Sequence, residues 1–318
     1  AGCVTILYGM ETGSPRILEI MEKKTKITDN ENAMQWTIDA GLMTVVQLVL
    51  GMPGENPETI SETIEFCKKA LTISPDQNSN HLSINYAQAL PGTPLYEFAR
   101  HKDLIGQTLD EEEEYLLSIS DKDAHDELTT INFTGFPTLE HQSWRPRITV
   151  ETNFAFVQKY GLARYHRNLL TDGKFFEQKK EDRGYFANPK RLIDTSMTTD
   201  SVHDAKTKYE LESETLAVPG LWTLLKQGQF GLAMICYPVL FYRLRAFLPL
   251  MLFIKNLLRV PLGFNLKCLG SYVAYKLRLN AGVRPFGHNY ASLRRIVNNE
   301  LQELSSDSLE TAPLRKGR

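Results

Sequence analysis

Four cysteines occur in 318 residues, Cys3, Cys67, Cys236 and Cys268, and no two of them stand in a C-x-x-C spacing. That excludes a disulfide framework or zinc site legible from spacing, and it fits a reducing, cytoplasmic compartment. The seven histidines show no paired metal-ligand spacing either, so they read as surface or satisfied core residues. No repeat and no low-complexity block interrupts the chain. No apolar run reaches the roughly eighteen uncharged residues of a spanning helix. The first residue is Ala, and a strand-like apolar run over 3–8 follows with no charged leader. No signal peptide is read there, and further upstream sequence is expected.

Acidic residues are missing from one long stretch. Residues 215–299 hold eleven Lys and Arg and no Asp or Glu, which leaves −13 on the rest of a chain whose net charge is −2. A local cationic field of this kind attracts an anionic membrane or a nucleic acid even when the whole protein is nearly neutral. Apolar blocks fill the same stretch, over 221–225, 230–242 and 246–254, separated by Lys226, Arg243, Arg245, Lys255 and Arg259. Arg243 and Arg245 make a bilayer span through that point costly, and Pro238 and Pro249 interrupt the helical pattern. Two readings remain: helices lying on an anionic leaflet, peripheral to the inner face of the membrane, or a helical unit packed on the rest of the protein. Few polar side chains are left there to read bases, so no nucleic-acid partner is expected.

What the first hundred residues do have is a rhythm. Short apolar runs alternate with helical patterns, as in β/α units of a parallel sheet or barrel, with strands near 3–8, 44–50 and 82–87. Thr28-Asp29-Asn30-Glu31 has the form of a capping box opening a helix that runs to Gly41. Asn56 precedes Pro57 at another helix start, and Ile60, Ile64, Cys67 and Leu71 recur on one face. The acidic run at 110–114 suits a further helix N-terminus. Residues 145–200 read as helical and then irregular, and 194–213 as a linker.

Three glycine-containing stretches fall at the ends of the expected strands, where a parallel β/α barrel carries its chemistry. They are Tyr8-Gly9-Met10-Glu11-Thr12-Gly13-Ser14-Pro15, Val49-Leu50-Gly51-Met52-Pro53-Gly54-Glu55 and Ala89-Leu90-Pro91-Gly92-Thr93-Pro94-Leu95-Tyr96. Glu11 is the leading candidate, because a carboxylate at a glycine-rich rim has little structural reason to be there. Ser14 reads equally as a helix cap, and Glu55 as a residue favouring the next helix start. Cys3 is expected in a buried strand and Cys67 in the core.

Together with Ala1-Gly2-Cys3 and Ala40-Gly41, these stretches resemble, in order and spacing, the second half of the radical S-adenosylmethionine (SAM) core. The likeness is strongest to the branch in which a cobalamin-binding domain precedes the barrel, and it covers about the first hundred residues. It implies an α/β fold, the second half of a partial (β/α)6 barrel over 1–110. A helical and irregular extension with a linker would follow over 111–214, and a basic, apolar, mostly α-helical region over 215–318. It also implies a [4Fe–4S] cluster that cleaves SAM reductively to a 5′-deoxyadenosyl radical for hydrogen abstraction. Methylation or ring rearrangement follows in cobalamin-dependent members, with the cobalamin held by an N-terminal domain, and the cluster draws on a reductant. By the same resemblance Glu11 would touch the ribose or amino group of SAM, with Ser14 close by. Leu50, Gly51, Ala89 and Leu90 would line the adenine side.

One departure is serious. The C-x-x-x-C-x-x-C motif that holds such a cluster is absent, and none of the four cysteines replaces it by spacing, so no metal ligand is assigned. The chain is therefore read as a fragment of an enzyme acting on a lipid-like or tetrapyrrole-like small molecule. The alternative is a cluster-free relative that only binds or docks on a membrane. An unrelated β/α-barrel enzyme would need eight β/α units, and about three are legible.

Overall fold

A computed structural model describes residues 3–106, 108–119, 130–171, 218–257 and 259–281, and the structural statements below refer to these residues. The expected linker at 194–213 lies outside them. Three parallel strands, β1 (Thr5–Glu11), β2 (Met43–Leu50) and β3 (Leu82–Tyr86), pair in the order β1-β2-β3. Helices α1 (Pro15–Ile20) and α2 (Ile27–Asp39) connect β1 to β2, and α3 (Pro57–Thr72) connects β2 to β3. Parallel neighbours require such crossovers, which is why the alternation of strand and helix patterns was readable. The rest of the described chain is helical: α4 (Pro94–His101), α5 (Leu109–Ser118), α6 (Thr138–Tyr160) and α7 (Leu162–Thr171), then a set beyond residue 218. That set comprises α8 (Leu221–Lys226), α9 (Phe230–Cys236), α10 (Pro238–Arg243), α11 (Leu248–Asn256) and α12 (Leu262–Asn280). The architecture is thus α/β with a small parallel sheet and mostly helical content.

Side chains alternate across each strand and divide the sheet into two faces. One face, with Met10, Val46, Leu48, Leu50, Ile84 and Tyr86, is buried against Ile60, Ile64, Cys67 and Leu71 of α3. Asn56 accepts hydrogen bonds from the Glu58 and Thr59 amides, with Pro57 at the first helical position, so α3 starts where its sequence placed it. The same core continues through Trp144 and Ile148 of α6 to Leu224, Phe241, Leu248 and Tyr275 of the C-terminal helices. Phe154 stacks on Tyr242 at 3.7 Å between ring centroids, and the Tyr165 hydroxyl donates to the Ile235 carbonyl at 2.7 Å. One face of the C-terminal helices therefore packs on α6.

Two local readings are corrected. Helix α2 begins two residues earlier than Thr28 suggested: the Lys26 amide donates to the Asp29 carboxylate at 2.8 Å, which leaves Thr28 inside the helix. Cys3 is exposed and precedes β1 rather than lying buried within it.

Candidate active site

The C-terminal ends of the three strands meet at one edge of the sheet, where backbone amides and loop residues converge. At β1 the pairing register slips between Gly9 and Glu11, and Glu11 takes a φ of 66°, in the left-handed region that non-glycine residues avoid. Its carboxylate forms an ion pair with Lys23 at 2.8 Å, and Lys23 also donates to the Gly9 carbonyl at 3.4 Å. A Cβ on Gly9 would stand 3.0 Å from Glu11 Oε1, so the glycine makes room for the carboxylate to lie over the strand. Strain held at a rim by a bulge and an ion pair is a common companion of function. No periodicity or spacing marked Lys23; only the fold brings it to Glu11.

The next residues serve the scaffold. A Cβ on Gly13 would meet Phe66 Cβ at 2.4 Å and Thr63 Cα at 2.7 Å, so only glycine admits the close approach of α3. The Thr12 and Thr63 hydroxyls share a 3.0 Å hydrogen bond. Ser14 occupies the N-cap position of α1 without making a side-chain cap bond, and its buried hydroxyl has no hydrogen-bond partner.

At β2 the Gly51–Glu55 turn is closed by a carboxyl. The Gly51 amide (φ 84°) donates to Glu55 Oε2 at 2.5 Å, while the other carboxyl oxygen is buried and unpartnered. Burial pushes Glu55 up from an ordinary 4.5 to about 8, against the lowering effect of the Gly51 and Met52 amides. The group is mainly neutral at pH 7 and staples the turn. Beside it lies a residue that the sequence did not single out, His141 of α6. A Cβ on Gly51 would stand 2.8 Å from His141 Nε2, which is buried and unpartnered. Its ring packs on Tyr86 and Trp144 at 5.2 and 5.5 Å, and burial lowers its pKa to about 4.

At β3 the rim is filled. A second core joins Ile17 and Ile20 of α1, Met52, Ala87, Ala89, and Leu95 and Phe98 of α4. The Tyr115 hydroxyl donates to the Ala89 carbonyl at 2.9 Å and receives the Ala89 amide at 3.1 Å. Thr93 caps α4 by accepting from the Tyr96 amide at 3.3 Å. The third glycine-containing stretch thus starts a helix. Leu50, Gly51, Ser14 and Ala89 are all buried, with Leu50 in the helix-side core, whereas Leu90 is exposed and Glu11 half-buried. The fold gathers the six residues at one edge but leaves only Glu11 and Leu90 within reach of solvent.

The second face of the sheet completes the picture. It carries Leu7 and Gly9 of β1, Val45, Gln47 and Val49 of β2, and Ser83 and Asn85 of β3, with Gln47 between Gly9 and Ser83 in register. Leu7 is 55% exposed, so the face is open along β1. Asn85 Oδ1 lies on it without a hydrogen-bond partner. Carboxylate, ammonium, amide and hydroxyl groups there can accept from and donate to a polar ligand. Among the described residues no group of three His, Cys, Asp or Glu could hold a metal ion. Cys67, Cys236 and Cys268 are buried, and desolvation raises the Cys67 thiol and pushes Cys236 to about 12, away from the thiolate that a metal requires.

This is the arrangement of a parallel α/β protein whose polar groups collect beyond the carboxyl ends of its strands. Two curated proteins are partly similar to it. An uncharacterized methyltransferase of Pyrococcus horikoshii is 33% identical over 109 residues, which cover 33% of this chain and 21% of that protein. The anaerobic magnesium-protoporphyrin IX monomethyl ester cyclase of Rubrivivax gelatinosus is 31% identical over 68 residues, 21% of this chain and 12% of that protein. The chain thus spans about a fifth and about an eighth of the lengths of these relatives. No protein-family model matches it.

Proposed function

We propose that the β1 side of the second sheet face and its rim bind SAM, and that this chain is the SAM-binding portion of a radical SAM enzyme. The observation that carries the reading is Glu11. It is a strained rim carboxylate, held by Lys23 at the end of a parallel strand, within a stretch that resembles the radical SAM core. Partial similarity to an uncharacterized methyltransferase and to an anaerobic cyclase supports an enzymatic reading. Glu11 accepts hydrogen bonds from the ribose hydroxyls or the amino group of SAM, and the ion pair with Lys23 holds its carboxylate in place. Gln47 supplies an amide group to the ligand, beside the buried Asn85 oxygen, which has no hydrogen-bond partner. The Glu55 staple fixes the Gly51 turn on the adenine side.

The chemistry of that class would require a [4Fe–4S] cluster. The described residues do not fit such a cluster, so its thiolates belong to polypeptide outside them. Cobalamin would bind on a separate domain. The substrate is of the lipid-like or tetrapyrrole-like class.

Titration calorimetry with SAM and with S-adenosylhomocysteine tests the reading. Hydrogen bonds to a charged group are worth about 1.5–3 kcal/mol. Glu11→Gln should therefore weaken binding roughly ten- to hundredfold. No binding of either ligand, or equal binding by the variant, would overturn the proposal. Anaerobic reconstitution should add no iron to the 318-residue chain. About four irons per chain would refute an external ligand set.

A further inference from the structure

Residues 218–281 reverse the usual placement of apolar side chains. Thirteen large hydrophobic residues are exposed there, against eight on all the other described residues, which make up a longer stretch. They are not scattered. On α12, Leu262, Leu266, Val273 and Leu277 repeat with helical period and fall within roughly 60° of arc. Asn265, Cys268 and Tyr275 of the same helix are buried on the side facing α6 and α11. Leu250 and Ile254 of α11, with Leu257 at its C-cap, form a second exposed stripe. The Asn265 side chain, on the buried side of α12, donates to the Phe253 carbonyl at 3.0 Å and ties the first turn of α12 to α11. Each helix is thus buried on one side and apolar on another that nothing among the described residues covers.

The charges carried by these C-terminal helices are all of one sign. Lys226, Arg243, Lys267 and Arg278 are exposed, and residues 215–299 contain no carboxylate. Lys276 is spoken for by Glu140 of α6, at 2.9 Å. On α8, Lys226 lies 5.4 Å from the ring centroid of the exposed Trp222, which pairs an aromatic face with a cation. No described helix is long and apolar enough to cross a membrane. A second copy of the chain fits poorly, since self-pairing sets cation against cation with no acid between them. An anionic leaflet supplies both complements, acyl chains for the stripes and phosphates for the cations.

We propose that α11 and α12 dock on an anionic lipid bilayer, with the two leucine-rich stripes at the headgroup–acyl boundary and Lys267 and Arg278 against lipid phosphates. The buried sides of both helices pack on α6, so the stripes belong to helices separate from the β1 rim. This proposal does not rest on SAM binding, which is measured without lipid and fails or succeeds independently.

Flotation of the full chain with vesicles tests it. The chain should float with phosphatidylcholine vesicles that contain phosphatidylglycerol, be released by high salt, and stay largely unbound to pure phosphatidylcholine. Lys267→Glu with Arg278→Glu should weaken anionic binding by at least about twentyfold, since each cation near such a surface contributes roughly fivefold. Leu266→Gln with Leu277→Gln should abolish flotation while leaving the melting temperature nearly unchanged, which separates a lost surface from a lost fold. Three results would overturn the proposal: no flotation, equal partition onto neutral and anionic vesicles, or indifference to both double variants. So would a dimer in sedimentation velocity that the leucine variants dissociate, because the surface would then be an interface between copies.

Discussion

The sheet region and the C-terminal helices share one core yet arrange the same residue types in opposite ways. Over 3–101 the strands and helices bury Leu48, Leu50, Ile60 and Ile64 almost completely and expose charge. Over 218–281 Leu262, Leu266 and Leu277 are more than half exposed, and the charges beside them are all positive. Composition alone would rate the second region as the better buried. The comparison teaches that apolar content fixes how much surface seeks cover, while the pattern along each helix decides whether the cover is protein or something else.

The largest expected effect concerns the link between the two regions. Trp144 is fully buried in the core that runs from β2 to α12, and it packs against Phe136 at 5.7 Å and His141 at 5.5 Å. Trp144→Ala should cost about 3–5 kcal/mol, toward the lower end because the lost indole N–H has no hydrogen-bond partner. Urea unfolding followed by hydrogen exchange should show protection falling together in α3 and α11. If α11 loses protection while α3 keeps it, the regions are separate stability units and the shared core is only a contact.

How much of this was legible in the sequence depends on the range of the interaction. The three strands, α3 and its Asn56 cap were readable because period, cap and proline all act within a few residues. The capping box at Thr28 was misplaced because Asp29 can reach back to Lys26 as readily as Thr28 can cap forward, and a four-residue pattern does not choose between them. The rim was half legible. Glu11 stood out by its glycine-rich setting, yet Lys23 comes from the turn after α1 and His141 from a helix 90 residues beyond Gly51. Nor did any local pattern reveal that Ala89 would be closed over by Tyr115, or which side of α12 would meet α6. Those outcomes depend on which elements pack together.

A pH series sharpens the comparison at intermediate size, because its main actors lie on the sheet side. Glu55 carries a folded pKa of about 8 against an ordinary 4.5, so its contribution is full at low pH and is lost as pH rises through about 8. His141 runs the other way. Its folded value of about 4 lies below the ordinary 6.5, so its contribution is full above 6.5 and is lost as pH falls toward 4. The two slopes oppose each other between about 4.5 and 6.5, and above that Glu55 acts alone. Stability should be nearly flat over the lower window and fall by on the order of 2 kcal/mol from about pH 6.5 to 8. Glu55→Gln keeps an acceptor for the Gly51 amide and should remove the fall. Melting curves in which the variant retains it would assign the slope to another group.

The smallest effect separates strain from function at the rim itself. Glu11 is held at a φ of 66°, where a side chain costs roughly 1–2 kcal/mol that glycine does not incur. Its half-exposed ion pair with Lys23 returns at most about 1 kcal/mol. Glu11→Gly should therefore leave stability unchanged or raise it by about 1 kcal/mol, while Glu11→Gln keeps the strain and loses the pair. Both variants should lose SAM affinity alike, because both lack the carboxylate. A higher urea midpoint for the glycine variant together with impaired binding would show that the sheet region tolerates strain for its ligand. A glycine variant less stable than the glutamine one would mean that the side chain itself supports the bulge. The rim would then belong with the scaffold residues Gly13 and Glu55 rather than with the ligand.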